Sequence, residues 1–159
     1  MSDLESYRRR AREAGAAFAA LPLVGRGELG PPDEKTGERW DRSNVLGHVA
    51  EMLPYWTLQV REVMGGATQI GRDEAATLRR REAIDSGPAA PEEGLRRDIE
   101  RGVGGLQGLL DDMREEDLDR TTLFIAQSGN REIELREVLE ILLIGHLEGH
   151  VDQLRQLER

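Results

Sequence analysis

The chain has 159 residues, of which 38% are hydrophobic and 33% are charged. This composition is typical of a globular protein with its own core, and we expect one domain over residues 1–159. The formal net charge of −9 argues against nucleic acid as a partner, because phosphate binding needs a positive surface. The absence of cysteine excludes disulfides and thiolate ligands from the chain itself.

The chain also lacks the sequence signals of a membrane or exported protein. Its first residues are polar and acidic, without the apolar stretch that a signal peptide needs. No apolar run, residues 141–144 included, is long enough to cross a bilayer. We therefore expect a cytoplasmic protein that does not interact with a membrane.

Two amphipathic helices are predicted in the first 66 residues. The first opens with a capping box, Ser2-Asp3-Leu4-Glu5, and ends at Pro22. The second follows Asp41, a plausible N-cap residue, and ends at Gly65-Gly66. Trp40 and Val45 occupy the positions of a hydrophobic staple at the start of this second helix.

The connection between these helices, residues 22–39, is rich in glycine and proline. It contains a formal GxGxxG match at residues 25–30. A dinucleotide site needs a strand before this motif and a helix at its last glycine. Here a helix precedes the motif and Pro31-Pro32 follows it, so we reject that interpretation and predict a flexible turn.

The rest of the chain is also predicted to be mainly helical. A short charged helix is expected over residues 72–86 and a long one from Pro91 to Met113. Residues 115–133 are predicted to be irregular, apart from an extended Leu123-Phe124-Ile125. The last helix runs from Leu135 to Leu157. We predict an all-α fold, an up-down four-helix bundle with long connections and one short extra helix.

The only three histidines of the chain all fall within these helical patterns. His146 and His150 are four residues apart, on one face of the last helix, and His48 lies at the edge of the apolar stripe of the second. Three imidazoles from two neighbouring helices would form a metal site with open coordination positions. The alternative is three histidines that are hydrogen-bonded in the core. A glycine lies beside each histidine and would let backbones approach closely: Gly47, Gly145 and Gly149.

Several kinds of metal site do not fit the spacing. Imidazole suits zinc, nickel, iron and copper. The zincin motif HExxH needs glutamate after its first histidine, where this chain has Leu147. Di-iron bundles need a glutamate three residues before each histidine, and those positions hold apolar residues. A metal with three neutral ligands would acidify a bound water or bind an external thiol as thiolate.

Two polar residues near His48 are candidate catalytic groups. Glu51, one turn away, would act as a base or support a ligand, or it is simply a solvated helix residue. Tyr55 would donate a hydrogen bond to a substrate, or it packs at the edge of a cavity. Gln59 is similarly ambiguous. The run Arg79-Arg80-Arg81 could reach an anionic substrate, although such runs are typical of a solvated face.

Two segments resemble the DinB-like (YfiT-like) metalloprotein superfamily. Residues 40–51 look like its first metal-ligand helix, and residues 129–139 followed by 146–154 look like its C-terminal helix with paired histidines. The resemblance implies a four-helix bundle, often a dimer, that binds zinc, nickel or a similar divalent metal. Carried over by position, the implied ligands are His48, His146 and His150.

Related groups include thiol-dependent transferases and the mycothiol-dependent maleylpyruvate isomerases. The sequence is short and we expect no extra C-terminal domain like that of some of those isomerases, which disfavours that specific activity. Three hypotheses follow. The first is a metal-dependent enzyme that activates a low-molecular-weight thiol for transfer to an electrophilic small molecule. The second is a metal-dependent hydrolase that uses metal-bound hydroxide. The third is a non-enzymatic metal-binding or stress-associated scaffold. A homodimer is expected in each case. No obvious fourth ligand follows the histidine motifs, which favours an open site.

Overall fold

Helices dominate the structure, a computed structural model that describes residues 1–22 and 24–158. The predicted helices are confirmed, including the short charged one, and their ends lie within a few residues of the predicted ends. In chain order they are α1 (Asp3–Ala20), α2 (Arg42–Met64), α3 (Glu74–Ser86), α4 (Glu92–Asp112) and α5 (residues 135–157).

The first two helices begin at the capping residues predicted for them. The Ser2 hydroxyl accepts a hydrogen bond from the backbone N–H of Glu5. The Asp41 carboxylate accepts one from the backbone N–H of Asn44, whose side-chain oxygen accepts one from the N–H of Asp41. Such side chains satisfy backbone donors that have no partner within the helix and so fix where the helix starts.

Helix α5 is continuous but not uniform. It consists of an α-helical turn (Leu135–Val138), a π-helical segment (Leu139–Ile144) and a second α-helical part (Gly145–Leu157). The π-helical segment was not predicted, because the side-chain pattern of one wide turn is too short to distinguish from an α-helix. His146 and His150 both follow it, so their spacing of one α-helical turn is preserved.

A small sheet occupies part of the region that was predicted to be irregular. The parallel pair β1 (Gln69–Gly71) and β2 (Thr121–Ala126) is extended by β3 (Gly129–Glu134), which pairs antiparallel to β2. The prediction of irregular structure over 115–133 is therefore wrong, although Leu123-Phe124-Ile125 is extended as expected. Strand β3 was missed because most of its residues are exposed and polar, and β2 because its apolar residues run consecutively instead of alternating with polar ones.

One hydrophobic core joins the inward faces of α1, α2, α4 and α5. Helix α2 lies at its centre and packs against both α3 and α4, while α1 packs against α4 and α5. Aliphatic side chains fill most of this core, as the low aromatic content requires. None of the described helices is both long and apolar enough to span a membrane.

The connection between α1 and α2 is ordered by its own hydrogen bonds over residues 30–40, which we call the site loop. The backbone N–H of Gly30 donates to the carbonyl of Trp40 at 2.9 Å, and that of Asp33 donates to the carbonyl of Glu38 at 2.8 Å. The rejected GxGxxG residues lie in irregular backbone, and the described residues before them form helix α1 and no strand, as expected. Leu23 of this connection lies outside the described residues.

Candidate metal centre

The three histidines meet where α2 and α5 approach each other. One ring nitrogen from each of His48, His146 and His150 lies within 4.8 Å of the others. The ring centroids are 4.6 to 5.3 Å apart. His48 and His150 are buried, while His146 is half-buried. The convergence that the sequence suggested is therefore present in the fold.

Glycine beside His48 permits the close approach of α3. A Cβ atom at Gly47 would lie only 2.3 Å from the carbonyl oxygen of Ala83 in α3. A Cβ atom at Gly87, just after α3, would lie 2.2 Å from the carbonyl oxygen of Ser43. The two glycines let the backbones of α2 and α3 pack closely together. This contact brings α3 alongside the histidine cluster.

The glycines of α5 behave differently from each other. A Cβ atom at Gly145 would lie 2.5 Å from the carbonyl oxygen of Glu140, within the wide turn of the same helix. Gly145 thus accommodates the π-helical segment rather than a neighbouring helix. A Cβ atom at Gly149 would meet no other group within 4 Å. The expectation of close approach therefore holds at Gly47 and is wrong at Gly149.

The hydrogen bonds of the histidines define which nitrogens can bind a metal. Nδ1 of His150 lies 2.8 Å from Oε1 of Gln153, an acceptor, so Nδ1 carries the proton and Nε2 keeps a lone pair. Nε2 of His150 and Nδ1 of His48 are buried and have no hydrogen-bond partner among the described residues. Nε2 of His48 and Nε2 of His146 are 3.2 Å apart. The partnerless Nε2 of His150 and the facing Nε2 atoms of His48 and His146 fit a divalent cation, which would bind one nitrogen from each ring.

Burial keeps the three imidazoles in the neutral form that a metal needs. It lowers the pKa of His146 to about 4, with further contributions from His150 and the positive charge of Arg80. Burial also lowers the pKa of His48, again helped by the other two histidines and Arg80. It lowers the pKa of His150 as well, although the hydrogen bond to Gln153 opposes the shift. At neutral pH no proton competes for these sites.

A cavity of about 600 Å³ opens onto the cluster. The Trp40 ring lies 5.3 Å from the His48 ring and stacks on the His150 ring at 6.4 Å between centroids. The guanidinium of Arg80, on α3, lies 5.7 Å from the centroid of the Trp40 ring. The remaining lining comes from the site loop and the end of α5: Pro31, Pro32, Asp33, Glu34, Thr36, Glu38, Gln153, Gln156 and Leu157.

The two candidate catalytic residues are not part of the cavity lining. The Glu51 carboxylate accepts two hydrogen bonds from the guanidinium of Arg72, at 2.7 and 2.8 Å. The Tyr55 hydroxyl donates to the carbonyl of Gly71 at 2.5 Å, and its ring lies 4.1 Å from the Arg72 guanidinium. Gln59 accepts from the N–H of Gly71. These contacts connect α2 to β1 and the segment after it, and the catalytic roles of Glu51 and Tyr55 stay predictions.

Sequence reasoning missed the site roles of Trp40, Gln153 and the site loop, and it did not single out Arg80 within its run of arginines. Trp40 was interpreted as a helix staple, but its ring contacts the histidines. Arg80 was one of three arginines in a run, and only the fold shows that it faces the cavity. Gln153 could have been found from its spacing, because position i+3 after His150 is on the same helical face. The site loop carries no metal-ligand motif and was found only through the structure.

The comparisons with known proteins find similarity in structure rather than in sequence. No family model and no curated protein matches the chain. YfiT from Bacillus subtilis, described as a probable metal-dependent hydrolase with an unusual four-helix bundle topology, matches with a TM-score of 0.76 at 16% identity. That match covers 100% of this chain and 89% of YfiT.

Two further solved structures are similar. A mycothiol-dependent maleylpyruvate isomerase has a TM-score of 0.69 and 21% identity; the match covers 95% of this chain but only 60% of the isomerase. A protein from Streptococcus pneumoniae has a TM-score of 0.68 at 8% identity, with 99% of this chain and 91% of the other covered. The chain thus shares the helical-bundle fold of YfiT, the fold that its histidine-bearing segments predicted.

Proposed function

We propose that this protein binds a divalent metal, zinc or nickel, through His48, His146 and His150, and that it activates a low-molecular-weight thiol for transfer to an electrophilic small molecule. The observation that carries the proposal is the convergence of three neutral imidazoles at one cavity. A bound divalent cation would lower the pKa of a coordinated thiol and so supply a thiolate at neutral pH.

The residues around the cluster support an open site. No cysteine, carboxylate or fourth histidine of the described residues belongs to the cluster of possible ligand atoms. The carboxylates that line the cavity belong to the exposed part of the site loop: Asp33, Glu34 and Glu38. Structural metal sites are closed by four protein ligands, whereas reactive sites keep a position for substrate. The arrangement therefore favours an enzyme over a scaffold.

Gln153 and the cavity itself have defined roles in this proposal. Gln153 orients the His150 ring through its hydrogen bond, as the hydrogen-bond partners of metal-bound histidines commonly do. The cavity volume of about 600 Å³ lies within the range of small-molecule sites. The chain has no cysteine, so the thiol must come from a separate small molecule.

The comparisons favour two reaction classes. The similar isomerase is mycothiol-dependent, which supports thiol chemistry on this fold. YfiT, described as a probable metal-dependent hydrolase, supports hydrolysis as the second candidate. Hydrolysis would use the same three histidines with water in place of the thiol. The two candidates differ in whether turnover needs an added thiol.

The test begins with elemental analysis of the purified protein, of a His146→Ala/His150→Ala variant and of a Gln156→Ala control from the same cavity. We expect about one zinc or nickel per chain in the parent and control, and none in the folded double variant. The metal-loaded parent is then assayed with a chromogenic aryl halide, with and without a thiol, and with a chromogenic ester. Thiol-dependent consumption of the halide supports transfer, and ester cleavage without thiol supports hydrolysis. A parent that binds neither metal after incubation with both would overturn the proposal.

A further inference from the structure

Arg80 differs from every other arginine in the described residues. Most of the others donate hydrogen bonds to carboxylates or backbone carbonyls, and the few that do not are exposed: Arg12, Arg79, Arg81 and Arg97. Arg80 is half-buried, yet within residues 1–22 and 24–158 its guanidinium forms neither a hydrogen bond nor an ion pair. Its one assigned interaction is with the face of the Trp40 ring.

The other buried or half-buried arginines of the described residues all donate hydrogen bonds to carboxylates or backbone carbonyls. Arg72 forms two hydrogen bonds with Glu51, and Arg42 forms ion pairs with both Glu92 and Glu158. A guanidinium that loses solvent without gaining an anion is destabilising, because its charge is no longer fully hydrated. The exception at Arg80 lies at a cavity, where a bound molecule can supply the missing anion.

The charged residues described around Arg80 leave its guanidinium without an anionic partner. Burial lowers the pKa of Arg80. Glu38, on the site loop, is the acidic residue that opposes this shift most, but the two groups do not form an ion pair. Arg72 and Arg81 add positive charge near Arg80. The Glu51 carboxylate is already bound to Arg72. Arg80 also lines the same cavity as the three histidines.

We propose that Arg80 binds the carboxylate of the small molecule whose sulfur enters the metal site, so that the thiol substrate is an anionic one. This inference rests on the proposed function and deepens it. The guanidinium offers two parallel N–H donors that match a carboxylate, and the Trp40 ring provides an apolar wall beside it. A neutral thiol of the same length would keep the sulfur contact but lose the contact with Arg80.

The experiment uses the full chain loaded with cobalt(II), titrated with mercaptopropionate and with mercaptopropanol. The two probes have the same carbon chain and differ in their carboxylate and hydroxymethyl groups. Thiolate-to-cobalt charge-transfer absorption reports binding of each probe. In the parent we expect the carboxylate probe to bind about tenfold more tightly or better, as a charge-assisted bidentate contact provides.

Three variants locate the origin of this preference. Arg80→Met should remove it, measured as the ratio of the two affinities so that a general effect of the lost charge on thiolate binding cancels. Arg80→Lys should keep part of it, because the charge remains but the paired donors are lost. Arg79→Met removes the same charge from an exposed neighbour on α3 and should leave the preference intact.

The outcomes separate this inference from the proposed function. Equal binding of both probes to the parent, or a preference that persists in Arg80→Met, overturns the inference and leaves the metal site standing. Cobalt binding without any response to either thiol overturns the thiol activity together with the inference. Failure to bind cobalt overturns the metal site itself. Melting curves of each variant show whether it is folded.

Discussion

The side-chain oxygen of Gln153 fixes the His150 ring, with Oε1 lying 2.8 Å from Nδ1. We expect Gln153→Ala to weaken metal binding by about 10- to 100-fold, because the ring loses the partner that sets its tautomer and orientation. Competition with a chromophoric chelator measures this affinity. Gln156→Ala, a control in the same cavity wall, should leave the affinity unchanged. Equal affinity in the parent and both variants would contradict the role assigned to Gln153.

Replacement of Gly47 tests the contact between α2 and α3. In Gly47→Ala the new methyl group would meet the carbonyl oxygen of Ala83, and backbone cannot move aside as a flexible side chain can. We expect a loss of about 1–3 kcal/mol in the free energy of unfolding, together with weaker metal binding.

The matched control for Gly47 is Gly104→Ala in α4. A Cβ atom at Gly104 meets nothing within 4 Å, so the substitution should stabilise the helix by about 1 kcal/mol. Urea unfolding of both variants measures the difference. Similar stabilities for the two variants would show that the close approach at Gly47 is not required.

Arg42 is expected to hold the far end of α5 in place. Its buried guanidinium donates to Glu92 at 2.8 Å and to Glu158 at 2.7 Å, which joins the starts of α2 and α4 to the end of α5. Arg42→Met should destabilise the protein by about 3 kcal/mol, because Glu158 loses its ion pair and Glu92 keeps only the longer contact with Arg96. Arg97→Met, an exposed control on α4, should change stability by less than about 0.5 kcal/mol. Denaturant midpoints at constant pH decide between these outcomes.

The metal-free protein should lose stability in mild acid. The pKa of an unfolded histidine is about 6.5, whereas that of folded His146 is about 4 and those of His48 and His150 are also lowered. Below pH 6.5 the unfolded chain therefore binds protons that the folded chain does not. We expect the free energy of unfolding to fall by about 1.4 kcal/mol per pH unit for each such histidine.

A window between pH 6.5 and 5 isolates this effect. The lowered pKa values of Asp117 and Glu140 make their contributions disappear only in stronger acid, below about pH 4.5. Urea titrations of chelator-treated protein at both ends of the window measure the slope. The folded His146→Ala/His150→Ala variant should show a much smaller slope, and an equal slope would assign the effect to other groups.

The main helices could be predicted because hydrophobic periodicity and capping residues act locally. Asp41, for example, needs only Asn44 three residues later to start α2. The sheet could not be predicted, because β1 pairs with a strand about fifty residues later through backbone groups alone. The meeting of the histidines followed from inward-facing positions on two helices, whereas the position of Arg80 depends on how closely α3 packs at Gly47. Metal ligation, homodimerisation and the cytoplasmic location stay predictions.

The wide turn of α5 sets the register between the core and the metal site. Each residue of an α-helix advances the side chains by about 100°, and each residue of a π-helix advances them by less, so the six residues Leu139–Ile144 turn the chain about as far as five α-helical residues would. Losing one residue there would restore a regular helix and leave Leu135 in the core and His146 at the cavity. Length differences of one residue between related chains should therefore be compatible with the metal site in this turn, whereas a one-residue change elsewhere between Leu135 and His146 would turn one of the two side chains away.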